Sequence, residues 1–174
     1  MVFIDETGIH LAMARNYGRA KIGDRIHEAK RQRPRVSEKY TWISAISTEG
    51  VFAPFELNGS MTGMAFIVYL REVLLPQLKP YHIVVMDNLA SHKVRGVEEA
   101  FIDFNIGLKY LPPYSPDLSP IEEFWSKFKA YLRKVAKRNV KDLREAAITA
   151  FDLVTQSDIK GWFGHFQETM QSIH

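Results

Sequence analysis

Three acidic residues stand where a charge needs a reason. Asp5 lies inside an apolar, β-forming run, Val2-Phe3-Ile4-Asp5. Asp87 closes a second run, His82-Ile83-Val84-Val85-Met86, and Glu122 follows Pro120 at the start of an amphipathic helical pattern. Carboxylates gathered in one pocket repel, which raises a proton affinity or calls for a cation, and magnesium meets that demand with oxygen ligands. Two such ions can activate a water and stabilise the leaving oxygen of a phosphodiester. The chain has no cysteine, so disulfides, thiolate metal sites and thiol nucleophiles are excluded and hard cations, Mg2+ or Mn2+, are the expected choice.

Each acid also has a plainer reading. Asp5 could be a polar residue on a half-exposed strand, and Asp87 could open an Asx turn. Ser119-Pro120-Ile121-Glu122 fits a capping box, with Ser119 as N-cap, Pro120 at the first helical position and Glu122 reaching back to the cap amide. Helical geometry barely separates Glu122 from Glu123, because both lie away from the apolar stripe. Glu122 shares a face with Ser126, Lys129 and Arg133, a row of cations suited to a DNA backbone, whereas Glu123 heads a face with Lys127 and Lys134. Glu6 alternates to the sheet face opposite Asp5 and is not expected to be a ligand. His92 is an accessory candidate that could approach a substrate phosphate or orient a water, set against a structural role at the start of a capped helix.

The elements that must position these residues follow from the hydrophobic pattern. Residues 2–11, 40–47 and 51–57 read as strands, the latter two joined by a hairpin at Thr48-Glu49-Gly50. Residues 13–39 read as a long basic loop containing Gly18, Gly23 and Pro34. A buried helix is expected over 62–75, a buried strand over 82–86, a helix over 92–104 capped by Ser91, and a short strand over 107–111. A proline-rich turn then leads into a helix with the stripe Ile121, Phe124, Trp125, Phe128, Leu132 and Val135, followed by helices over 141–155 and 159–171. This order predicts an α/β fold, a mixed five-stranded sheet flanked by helices. If the first and fourth strands are neighbours, Asp5 and Asp87 project near one another and the Glu122 helix brings a third carboxylate over them.

Composition supports a phosphate-rich partner. With 174 residues, 46% hydrophobic and 25% charged, the chain has the make-up of one globular domain. No apolar run reaches the roughly 18 residues of a membrane helix, and no leader pattern opens the chain. A cytoplasmic location, nucleoid-associated in a prokaryotic host, is therefore expected. The net charge of +3 hides a strong asymmetry: residues 15–39 carry net +6, residues 127–144 net +7, and the rest net −10. Basic stretches beside an acidic remainder suit a nucleic acid held near a cation-binding centre, although either stretch alone would pass for a solvated surface. Arg15, Arg19 and Lys21 are candidates for clamping DNA from the long loop.

Three motifs carry a resemblance. Phe3-Ile4-Asp5-Glu6-Thr7, Met86-Asp87-Asn88 with His92, and Pro113-Tyr114-Ser115-Pro116-Asp117-Leu118-Ser119-Pro120-Ile121-Glu122 with Trp125 resemble mariner-like DDE transposases, in particular the insertion-sequence-630 branch. The 34 residues between Asp87 and Glu122 match the acid spacing of that branch and choose Glu122 over Glu123. The resemblance implies a ribonuclease-H-like fold, Asp5, Asp87 and Glu122 as catalytic residues holding two divalent cations, and DNA as partner. It further implies cleavage at transposon ends, transfer of the freed 3′ hydroxyl into target DNA at a TA dinucleotide, and a homodimer. Only four residues precede Asp5, so residues 1–174 are expected to be a single catalytic domain without a helix-turn-helix module. That keeps a second reading open, a non-catalytic remnant that binds DNA or a full-length transposase and interferes with transposition.

Overall fold

Five strands, β1 (Val2–His10), β2 (Lys39–Ser47), β3 (Gly50–Asn58), β4 (Ile83–Met86) and β5 (Gly107–Tyr110), form one sheet in the order β3-β2-β1-β4-β5. The computed structural model describes residues 1–11, 13, 39–113, 115 and 118–172. β1, β2 and β3 make an antiparallel meander, and β4 and β5 add in parallel on the far side of β1. The β2–β3 hairpin turns where Gly50 supplies a φ of 146° and Ser47 Oγ accepts a hydrogen bond from the Glu49 N–H at 3.1 Å. The mixed sheet expected from the strand pattern is thus present, with the first and fourth strands adjacent.

The period of two along β1 sorts its side chains between two cores. Phe3 and Ile9 pack with α3 (Pro120–Val135), α4 (Val140–Asp152) and α5 (Gln156–Ser172), whereas Val2 and Ile4 pack with α1 (Gly63–Val68) and α2 (Val97–Asp103). Asp5 consequently faces the α3 side and Glu6 the α1 side. The α3 stripe buries Ile121, Phe124, Trp125, Phe128 and Leu132 completely, each contributing on the order of 1.5–3 kcal/mol of apolar burial. Trp125 meets Phe128 edge-on at 5.2 Å, the packing role expected of it.

Two of the expected helices are more broken than their sequence patterns suggest. The 62–75 helix starts on the Thr62 cap, where the Ala65 N–H donates to Thr62 Oγ1 at 3.2 Å. It runs as α1, widens to a π turn over Tyr69–Leu74 and tightens to a 3-10 turn over Leu75–Gln77 that contains Pro76. Residues 92–104 do not form one helix, and Ser91 caps nothing there. A 3-10 turn, Ala90–Lys93, is followed by a break at Gly96 (φ 101°), after which α2 begins. Apolar spacing is blind to such a break because both pieces bury residues on the same side.

The last helix begins earlier than its apolar pattern, on a reciprocal cap. The Thr155 N–H donates to Asp158 Oδ2 at 2.8 Å and the Asp158 N–H to Thr155 Oγ1 at 3.2 Å, so a capping box does occur here, with Asp in the acidic place. Lys127 Nζ of α3 reaches the same Oδ2 at 2.5 Å. These bonds, Lys127 first and Thr155 next, hold the Asp158 carboxyl down at about 2. Asp158→Ala is expected to cost about 0.5–2 kcal/mol in urea denaturation at neutral pH. The folded acid is the stronger one, so its stabilisation is present above the unfolded value near 3.9 and lost as pH falls through about 2. The difference between wild type and variant should therefore shrink as pH falls from about 4 through 2.

Candidate active site

Strand geometry brings two of the acids together. The parallel pairing of β1 with β4 covers only Val2 with Val84 and Phe3 with Val85, after which β4 ends at Met86 while β1 continues beside β2. Asp5, still within β1, and Asp87, just past the end of β4, therefore lie level with one another where the two strands part, the kind of crevice in which open α/β sheets bind ligands. Together with Glu122 from the first turn of α3, they line a cavity of about 490 Å3. Leu89, Leu111, Pro112 and Pro113 add apolar surface to its lining.

The three carboxylates have different surroundings. Burial pushes the Asp5 carboxyl well above the ordinary range, and Glu122, Glu6 and Asp87 add to the rise, against a single backbone hydrogen bond that opposes it. Partial burial also works against ionisation of Asp87, but the contact with His92 and the hydrogen bond from the Leu89 N–H outweigh it and hold this carboxyl below its usual value. The Leu89 bond, 3.1 Å to Oδ1, is an Asx-type turn contact, so the turn reading of Asp87 is also realised. Ser119 is the α3 N-cap but makes no side-chain cap bond, and the Glu122 N–H donates to the Ser119 carbonyl at 3.1 Å. Glu122 is solvent-exposed and borders the cavity, while Glu123 Oε1 lies 2.8 Å from His165 Nδ1 of α5.

His92 departs from what the sequence led us to expect, and Glu6 keeps its expected face but has a partner there that the sequence did not indicate. His92 is completely buried in the 3-10 turn, not at the start of a capped helix, and its ring lies 4.2 Å from the Phe66 ring at 30°. Nε2 is 3.0 Å from Glu6 Oε2, and Nδ1 is 2.7 Å from Asp87 Oδ1, an ion-pair contact off the line of an ideal N–H hydrogen bond. Burial alone would push the imidazole down, yet Asp87 and Glu6 raise it to about 9. Glu6 does face away from Asp5, as the strand period requires, and its partner there is His92. The only sequence signal for this contact was the Asp5-Glu6 pairing itself, because the two partners are 86 residues apart. Asn88 was missed too; its Nδ2 donates to the Leu111 carbonyl and ties the Asp87 turn to the end of β5.

Lys129 and Arg133 follow Glu122 along its face of α3 and are half-buried. Arg15, Arg19 and Lys21, with the rest of residues 13–39 apart from Met13 and Lys39, lie outside the described residues, as do Tyr114, Pro116 and Asp117 of the third motif. Among the described residues no three acidic or imidazole side chains already converge as a metal cage. The donor chemistry nevertheless fits a hard cation. Asp5 is a partly buried carboxylate with three carboxylates acting on it, a balance that a divalent ion held by oxygen would reverse.

The sequence profile of the DDE superfamily endonucleases matches residues 1–145, and the chain belongs to that family. Comparison with curated proteins by sequence gives no match. Among solved structures it resembles the Mos1 transposase paired-end complex with left transposon end, with a TM-score of 0.79 and 17% identity over 96% of this chain and 52% of that one. The Mos1 mariner paired end complex with Mn gives a TM-score of 0.73 at 16% identity, covering 96% of this chain and 52% of that chain. The corresponding complex with Mg gives 0.72 at 16% identity, covering 98% and 54%. The architecture is the ribonuclease-H-like fold of the Mos1 catalytic domain, and the chain spans about half the length of these transposase chains. No helix among the described residues is long and apolar enough to cross a membrane.

Proposed function

We propose that residues 1–174 act as the catalytic domain of a mariner-like transposase of the insertion-sequence-630 branch, cutting DNA phosphodiesters at transposon ends and joining the freed 3′ hydroxyl to target DNA at a TA dinucleotide. The observation that carries this reading is the shared cavity, which Asp5, Asp87 and Glu122 line from three different elements of a DDE-family fold. The 34-residue interval from Asp87 to Glu122 and the proline-rich third motif support the branch.

Asp5, Asp87 and Glu122 would hold two Mg2+ or Mn2+ ions, which supply Lewis acidity at the scissile phosphate and a hydroxide-like nucleophile. The Mn and Mg complexes of the similar Mos1 fold support that choice of cation. The chain's own residues do the positioning. Partial burial of Asp5 lowers the local dielectric around the charge it carries, and Leu89, Pro112 and Pro113 supply apolar surface to the same cavity. Lys129 and Arg133, on the Glu122 face of α3, would contact the phosphate backbone, with Arg15, Arg19 and Lys21 as further contacts on sequence grounds. DNA is the proposed partner, and a homodimer would bring two element ends together.

Nicking of supercoiled plasmid tests this directly. We expect Mn2+- or Mg2+-dependent conversion to open circles with low sequence preference, and none in EDTA. Binding of the same DNA without cleavage in either cation would transfer support to the interference reading.

A further inference from the structure

Asp5 and Glu6 are neighbours on β1 that face opposite sides of the sheet, and both lead to the cavity acids. Asp5 reaches the cavity directly, whereas Glu6 reaches it through a buried histidine. His92 is held by its surroundings on four counts: the Phe66 ring beneath it at 4.2 Å, Glu6 Oε2 on Nε2 at 3.0 Å, the Tyr110 hydroxyl donating to its carbonyl at 2.9 Å, and its own N–H donating to the Leu89 carbonyl at 3.0 Å. The last two fix the backbone of the turn, and the Phe66 ring and Glu6 hold the imidazole itself. At Asp87, Nδ1 and the Leu89 N–H both meet the same oxygen, Oδ1, at 2.7 and 3.1 Å. Both contacts therefore hold the carboxylate from the side of Oδ1.

From this geometry we propose that Glu6 is a positioning residue: through His92 it sets the orientation of the Asp87 carboxylate and so its capacity to hold a divalent cation. The inference rests on the proposed role of Asp87 as a metal ligand. The underlying logic is that of outer-sphere partners elsewhere, which orient a ligand and whose loss weakens metal affinity or activity by about 10–100-fold. Unlike a direct ligand, Glu6 sends its side chain into the face opposite Asp5, so its contact route to the Asp87 carboxylate is the imidazole; its charge also acts on Asp5, and Glu6→Gln removes that charge while keeping the contact.

The test is Mn2+ binding to the full chain without DNA, followed by electron paramagnetic resonance of the free ion. Glu6→Ala is expected to weaken binding about tenfold or more. Glu6→Gln, whose amide oxygen can still accept from Nε2, should restore it to within about threefold of wild type. Melting temperatures taken without metal separate positioning from folding. If Glu6→Ala is too unstable to measure, the double variant Glu6→Leu with His92→Phe replaces the buried polar pair by apolar groups, a change that folds tolerate. It should still show the loss of Mn2+ affinity. Wild-type affinity in folded Glu6→Ala or in the double variant would overturn the inference, as would equal losses in the Ala and Gln variants. Failure of wild type to bind Mn2+ would instead overturn the proposed function, and the positioning role with it.

Discussion

Glu122→Gln is expected to lower DNA cleavage by about 1,000-fold or more while moving the melting temperature by no more than about 2–4 °C. The first figure follows from removing one charged cation ligand, which forfeits several kcal/mol of transition-state stabilisation at about 1.4 kcal/mol per tenfold. The second follows from the helix start. Glu122 is solvent-exposed and Ser119 makes no side-chain cap bond. What glutamine gives up is therefore a charge in the first turn of α3, worth about 0.3–1 kcal/mol. Loss of its repulsion on Asp5 works the other way. Glu123→Gln is the matched control, since Glu123 engages His165 of α5, and cleavage should persist. Plasmid nicking beside thermal denaturation reads both quantities. A large fall in melting temperature with Glu122→Gln would return the residue to a folding role.

Asp5→Asn should move stability and activity in opposite directions. Burial and three nearby carboxylates raise the Asp5 carboxyl well above its ordinary value, so the folded state prefers it protonated. The sign follows: a carboxyl whose folded value lies above its unfolded value costs stability once pH exceeds the unfolded value, and that cost fades as pH falls. Asparagine keeps the shape without the charge. The metal-free variant should melt on the order of 2–4 °C higher at neutral pH, corresponding to about 1 kcal/mol for a chain of this size. It should also lose cleavage and lose the stabilisation that Mn2+ gives wild type through binding to the folded state alone. Calorimetry with and without Mn2+ checks this. A variant that melts lower in the absence of metal would contradict the electrostatic account of Asp5.

The parts of this fold that were readable from sequence are those with a strong period and a long run. The apolar stripe of α3 specified its buried face except at Val135, which is only partly buried near the helix end, and the β-forming runs specified all five strands to within a residue or two. The adjacency of β1 and β4, needed to bring Asp5 level with Asp87, was only a condition until the topology supplied it. What stayed hidden depends on contacts distant in sequence or on breaks without a period. Gly96 interrupts a helix whose two halves bury the same side, and His92 in the first piece meets Glu6 of β1. The capping pattern at Ser119-Pro120-Ile121-Glu122 had the right letters but no cap bond, while Thr155 and Asp158 formed the real box ahead of a helix whose apolar pattern starts at Ile159. Local letters rank such sites equally, and tertiary contacts such as Lys127 to Asp158 decide between them.

The two-sided use of β1 makes the site sensitive to reading position along the strand. Side chains alternate with a period of two, so a one-residue slip of β1 against β2 would exchange the faces of Asp5 and Glu6. The longer acid would then enter the cavity, and the shorter would be left facing an imidazole it is too short to reach in the same way. Insertions or deletions between Val2 and Glu6 should thus be far more damaging than substitutions at the same places, even those that preserve every apolar residue of the strand.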